Sequence, residues 1–241
     1  YHLGNTYVKL EQYEKAISSY EKAKETNFTI NHISYAMSKT YALMKDESKM
    51  LKTLADGAEN GLAAYAGLNN EAAFAPYRNL AEFQQILEQV KKNAYPCLTD
   101  EKHRHFDFWL GDWEVFVKGK KVGENRITMA QGGCAIHENY TTAGNYAGQS
   151  INYYDPIEKK WHQHWVGSGG DVYNYLETKR EAGYLQFESD FMGPNGEISR
   201  SRLTFTLNED GTVRQFFENS TDDGKTWSPD FDGLYKKMSE K

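Results

Sequence analysis

The sequence predicts an α+β protein of two domains, an all-helical N-terminal part and an antiparallel β-barrel of about ten strands behind it. Two observations carry this. Up to residue 96 small and apolar residues recur at helical spacing, whereas from Asp112 onward they alternate with polar ones, the period of a strand. The rings are also unevenly placed: 12 of the 34 aromatics fall in residues 1–96, leaving 22 for 97–241. A chain of 241 residues has room for two domains, each with its own core.

The helical part shows an internal period. Leu3, Gly4, Tyr7, Leu10, Tyr13, Ala16, Tyr20 and Ala23 put large and small residues where two packed antiparallel helices need them. Moving on by 34 residues gives Met37, Ser38, Tyr41, Met44, Glu47, Met50, Leu54 and Gly57, with the size classes kept. The first set resembles the tetratricopeptide repeat, matching its Leu-Gly-x-x-Tyr and Tyr-x-x-Ala-x-x-x-Tyr-x-x-Ala spacing, and the second resembles a degenerate copy. Where the family pattern ends on Pro, the chain has Phe28 and Leu62. Residues 1–61 therefore read as two repeats, the first truncated at its start. The chain opens on Tyr1 inside the pattern, so further repeats or a targeting segment are expected upstream and the compartment is unreadable. Such repeats bury little surface singly, and the resemblance implies a protein partner. Residues 62–96 read as capping helices, with a turn at Pro76 and a stripe of Leu80, Phe83, Ile86, Leu87 and Val90. Residues 97–105 read as a linker, and 106–241 as the barrel.

Strand-like runs occupy 112–118, 122–130, 135–142, 146–154, 160–166, 172–179, 184–191, 198–208, 213–220 and 231–237. Turn signals such as Asp-Pro at 155–156, Gly-Ser-Gly-Gly at 167–170, Gly-Pro-Asn-Gly at 193–196 and Asp-Asp-Gly-Lys at 222–225 separate them. Tight hairpins without an intervening helix favour an up-and-down meander, and closing it removes two exposed edges. A two-sheet sandwich is the structural rival. A short helical turn at Phe106–Leu110 is expected to plug one barrel end.

Gly111-x-Trp113 at the first strand resembles the signature of the lipocalin-like, or calycin, barrels. With it go Phe106-Asp-Phe-Trp-Leu-Gly-Asp-Trp113, Cys134-Ala-Ile-His-Glu138, Gly148-x-Ser150-x-Asn152-x-x-Asp155, Lys160-Trp161-x-Gln163-x-Trp165 and Ser220-x-Asp222-x-Gly224-x-Thr226-Trp227. Together they resemble a bacterial family of lipocalin-like barrels of unknown function, over nearly all of 103–237. The resemblance implies a fold and no activity. It also implies that Trp113 is buried at the closed end against a basic side chain from a late strand.

Alternate residues of a strand share a face. Glu138 and Tyr140, Ser150 and Asn152, and Gln163 and Trp165 therefore fall on matching faces. If these point inward, the interior combines aromatic walls, amides and one carboxylate, suited to a ligand with an apolar body and a polar end. That carboxylate should have a raised pKa unless a cation pairs with it. Phe187, Ser189, Phe191, Leu203, Phe205 and Phe217 would complete the lining. A barrel packed solid, its polar groups satisfying one another, is the competing expectation.

Other chemistry is poorly supported. His162-x-His164, with His137 nearby, has the composition of a zinc site, but it lies opposite Trp161 and Trp165 and is expected outside; no metal or other cofactor is called for. The segment 228–241 has no His for a haem. Ser220–Trp227 matches an Asp-box, a hairpin clip in which Asp222 accepts backbone N–H groups and Gly224 takes positive φ, with Trp227 beside it. Glu138, Asp190 and Glu218 are scattered candidates for a glycosidase pair. Cys134 and His137 would face opposite ways on a strand, and hydrolase, phosphate-loop and dinucleotide motifs are absent from the sequence.

Residues 97–241 hold 17 basic and 23 acidic groups and the helical part 11 of each, which gives no footprint for nucleic acid. No apolar run approaches the roughly 20 residues that span a bilayer. Cys97 and Cys134 read equally as one bridge or as two buried thiols. The expectation is a non-catalytic two-module protein, its helices docking a protein and its barrel holding a small hydrophobic or amphipathic ligand. A filled barrel serving as a platform is one alternative, and an enzyme with Glu138 as acid or base is another.

Overall fold

The computed structural model describes residues 1–26, 30–193 and 196–238. A helical unit, Tyr1–Pro96, and a β unit, Cys97–Lys241, make up the chain. Phe28 and the Pro194-Asn195 centre of one expected turn lie outside the described residues.

Among the described residues the first unit has six α-helices: α1 His2–Lys9, α2 Tyr13–Lys24, α3 Ile30–Leu43, α4 Glu47–Glu59, α5 Tyr65–Asn70 and α6 Ala81–Ala94. α1 packs on α2, α2 on α3, α3 on α4 and α4 on α6, the order of a stacked series. The small positions of the period are where helices approach. A Cβ on Gly4 would collide with the ring of Tyr20, whose hydroxyl instead donates to Asn5 Oδ1 at 2.7 Å. One period later Ser38 is fully buried, and a Cβ on Gly57 would press on Ser34. Met50 and Leu54 fill the core between, as large residues at those positions should. Leu3 and Leu10, in contrast, are more than half exposed, because in the described chain nothing covers the outer side of α1. Pro76 sits inside a 3-10 turn, Ala72–Tyr77, and Phe83, Ile86, Leu87 and Val90 bury the inner stripe of α6.

The second unit is a closed ten-stranded barrel: β1 Gly111–Val117, β2 Lys120–Ala130, β3 Ala135–Thr142, β4 Ala147–Asp155, β5 Lys160–Gly167, β6 Val172–Glu181, β7 Tyr184–Met192, β8 Ile198–Leu207, β9 Val213–Ser220 and β10 Ser228–Lys237. Each strand pairs antiparallel with its sequence neighbour, and β10 closes on β1 through Trp113↔Lys237 to Phe116↔Leu234. Closure removes the sandwich rival. The last strand starts three residues before the run at 231–237, because a bulge between Pro229 and Phe231 lets a proline sit in the ladder.

One end of the barrel is filled. The turn Asp107–Trp109 pushes Phe106 and Trp109 inward, where they stack on each other at 4.8 Å and meet Phe205 at 4.9 and 4.6 Å. Trp113, Trp161, Phe187 and Leu203 complete this fully enclosed cluster, each large side chain contributing on the order of 1.5–3 kcal/mol. Trp113 Nε1 donates to the Trp109 carbonyl at 2.8 Å, and the Lys237 ammonium lies 5.4 Å from its ring centroid. Gly111, at φ +139°, takes the chain from the plug into β1 through a conformation that side chains resist.

Residues 97–105, read as a linker, belong to the barrel unit. Cys97 and Cys134 form a disulfide to the β2–β3 turn. Arg104 donates to the Gly133 carbonyl and pairs with Asp107 at 3.3 Å, and the Lys102 carbonyl accepts Trp161 Nε1 at 3.1 Å.

Candidate functional site

The other end of the barrel is open. Inward residues there leave a cavity of about 200 Å³, lined from β3 by Glu138 and Tyr140, from β5 by Gln163 and Trp165, and from β6 by Tyr173 and Tyr175. Gln215, Phe217, Phe231 and Tyr235 close it from β9 and β10, and Tyr146, Asp171 and Asp230 stand near the strand ends. The barrel is thus neither packed solid nor hollow throughout. Period-2 alternation brings these side chains inward, and register sets their level: Glu138 faces Ser150, Ser150 faces Trp165, and Trp165 faces Tyr173.

Glu138 is the most constrained group. Its Oε2 accepts from Ser150 Oγ at 2.6 Å and its Oε1 from Asn125 Nδ2 at 2.7 Å. The chain of bonds continues on both sides. Asn152 Nδ2 donates to Ser150 Oγ at 2.9 Å and lies 3.2 Å from the Ile136 carbonyl. Asn125 Nδ2 also reaches Tyr235 OH at 3.2 Å, and Tyr235 donates to Gln215 Oε1 at 2.6 Å. Burial pushes the Glu138 carboxyl up to about 7, against the pull of its two donors. The phenols of Tyr140, Tyr173 and Tyr175 are raised as well, chiefly by burial and further by neighbouring carboxylates. All three stay neutral at ordinary pH.

At the mouth, Asp171 Oδ2 accepts from Tyr146 OH at 2.7 Å and from Trp165 Nε1 at 2.8 Å, so two rings are pinned to one carboxylate. Gly148 makes room for Trp165, since a Cβ there would collide with the indole. Deeper in, Gln163 is 2% exposed, and its Nε2 has no hydrogen-bond partner. A buried donor without an acceptor is costly; Asn125 Oδ1 and Asn152 Oδ1, in the network behind Glu138, are likewise without a partner, but of these three residues only Gln163 lines the cavity.

Of the residues singled out from sequence, Glu138, Tyr140, Gln163 and Trp165 line the cavity, while Ser150 and Asn152 stand behind Glu138 as its supports. Phe217 lines it, but Phe187, Leu203 and Phe205 belong to the filled end. Tyr173, Tyr175, Gln215 and Tyr235 were overlooked, although the same alternation marks them. Asp171 and Tyr146 carry no such signal, because they sit just outside β6 and β4, where periodicity stops.

The remaining candidates do not converge. His164 contacts Asn174 and Tyr153, and His137 contacts Gln149, all on the outer face away from Gln163. Asp155, Glu158 and His162 alone, among the described residues, bring three ligand atoms within 4.8 Å, and Asp155 Oδ1 there already accepts the amides of Ile157 and Glu158. Asp190 pairs with Arg200 at 3.3 Å on the outer face, whereas Glu138 is enclosed within the barrel. The Asp222 hairpin is a clip: Asp222 accepts Thr226 N at 2.9 Å and Thr226 Oγ1 at 2.7 Å, which hold its carboxyl at about 2. Gly224 sits at φ +81°, Trp227 Nε1 donates to its carbonyl, and the Arg202 guanidinium covers Trp227 at 3.8 Å.

Fold and site define a closed antiparallel barrel with one half filled by aromatic residues and the other open to solvent. No protein-family model matches the chain, and no curated protein matches it.

Proposed function

We propose that the barrel is a non-catalytic binding module that takes a small, partly apolar ligand into its open half, and that the helical unit docks a protein partner. The carrying observation is the cavity of about 200 Å³ with the unpartnered Gln163 amide in its wall. Aromatic faces supply contact area, and Gln163 and the Glu138 network supply the few placed polar groups that orient a ligand. The volume lies below the roughly 300–1,000 Å³ of drug-sized pockets, so the occupant is compact. For the helices, the support is the tetratricopeptide-like spacing together with the close contacts at Gly4 and Gly57.

A thermal-shift and fluorescence screen of the whole chain against small aromatics, amines, sugars and short lipids tests the barrel. Binding should quench Trp fluorescence and weaken in Gln163→Ala and in Gly148→Ala, whose methyl displaces Trp165, with folding retained in both. A protein partner held by the helices should be unaffected by those changes. Silence across the screen would return the barrel to a platform.

One observation favours a second reading. A carboxyl shifted to about 7 at a cavity wall has the affinity for protons that an acid or base needs. Turnover of a bound ligand that disappears in Glu138→Gln, with binding kept, would replace the binding-module reading by an enzyme.

A further inference from the structure

The cavity has a charge of one sign. Among the described residues, its lining includes the acidic groups Asp171 and Asp230 at the mouth, the enclosed carboxyl of Glu138, which keeps its proton up to about pH 7, and no Lys, Arg or His. Asp171 is half-buried and Asp230 exposed beside it, so a cation entering at the mouth meets one carboxylate partly withdrawn from water without a counter-ion and relieves that cost. The rest of the wall is largely ring, and aromatic faces carry the negative side of the ring quadrupole.

The two features meet at Asp171. Because Tyr146 OH and Trp165 Nε1 both donate to the same Asp171 oxygen, a positive group pairing with this carboxylate also lies beside two rings. Residues 97–241, with 17 basic and 23 acidic groups, carry the sign that draws cations toward the site. A divalent metal ion is a poor occupant: it needs several oxygens within a common coordination sphere. Glu138, Asp171 and Asp230 form no such group, whereas three residues on another surface do come within 4.8 Å of one another. An organic cation, with its charge on a larger body, suits carboxylates spread around a wall.

Gln163 adds the polar specification. Its side chain lies in the wall and its Nε2 has no hydrogen-bond partner there, so a ligand acceptor that reaches this amide gains a bond that the protein leaves unmade. Resting on the reading of the barrel as a binding module, we propose that the cavity takes a small organic cation: an ammonium group at the Asp171 and Asp230 mouth, on a compact apolar body ending in a hydroxyl or carbonyl for Gln163.

Charge isosteres test this without knowledge of the natural ligand. Choline and 3,3-dimethylbutan-1-ol share a shape and differ by the positive charge, as do 2-phenylethylamine and 2-phenylethanol in all but the terminal group. Titrated into the full chain and read by calorimetry or Trp fluorescence, the cation of each pair should bind about tenfold more tightly. Asp171→Asn should erase most of that preference, and Asp230→Asn, at an exposed position, should reduce it; the readout is the ratio within each pair, from which a change of wall shape felt by both partners cancels. Equal binding within each pair would overturn the cation assignment and leave the pocket standing. Failure of every probe to bind would overturn both. A preference that survives both substitutions would overturn the placement at the mouth.

Discussion

Glu138 shows what one buried side chain does to the whole barrel. Asn125, Ser150, Tyr140 and Tyr235 surround it, no cation among the described residues faces it, and its carboxyl is held near 7. Below pH 4.5 it is protonated in the folded and unfolded chain alike, and between 4.5 and about 7 the unfolded chain has released a proton that the folded chain keeps. Stability should therefore fall as pH rises through this window, by about 3 kcal/mol in all, and stay at the lower level above it. Glu138→Gln should flatten that slope in urea titrations run from pH 4 to 8. A slope unchanged in the variant would place the titration elsewhere. Trp113 is the complementary case, an apolar anchor instead of a charge. It is fully enclosed, bonded to Trp109 and covered by Lys237, and Trp113→Ala should cost about 3–5 kcal/mol, measured by chemical denaturation.

At the scale of elements, the segment before β1 is fastened by covalent and polar bonds instead of by a strand pairing. The Cys97–Cys134 bridge spans 37 residues, so breaking it releases a loop that includes the plug turn and the β1–β2 hairpin. Cys97→Ser with Cys134→Ser should lower stability by about 3–4 kcal/mol, with the loss of protection in hydrogen exchange largest at residues 97–110. The sequence made the strands legible because alternation in runs such as Glu138–Tyr140 and Trp161–Trp165 has one dominant physical cause, an inside and an outside. The site was half legible for the same reason. Which face a residue takes is local, whereas its height in the barrel depends on registers between strands. Phe187 and Phe217 alternate identically, yet one fills the closed end and the other lines the cavity. Residues outside a period were invisible: Asp171 follows a glycine-rich turn, and Asp230 lies beside the bulge that starts β10. What holds residues 97–105 is not legible locally, because the bridge and the Arg104 contacts are long-range facts about the β2–β3 turn.

At the scale of the whole molecule, each unit solves burial by a different geometry. In the helical unit, contacts run mainly between neighbours in the series, so the small residues Gly4 and Gly57 set the spacing of one helix on the next. In the barrel, every strand has two partners, and side chains fill one half while the other half gives up packing to leave a space.

The pairing of β10 with β1 has a consequence for how other proteins can meet this barrel. Strand addition requires a row of unsatisfied backbone amides, and in a ring of ten strands that each have two partners no strand lies at a free edge, although residues 228–233 of β10 pair on one side only. A partner that would pair along a whole strand, or a second copy that would template on one, needs that strand to let go first and forfeit its pairing with both neighbours. Recognition of the barrel by another protein must therefore be written in side chains on its outer faces and in the hairpins around the mouth, where sequence can vary from turn to turn while the ring of backbone bonds stays whole.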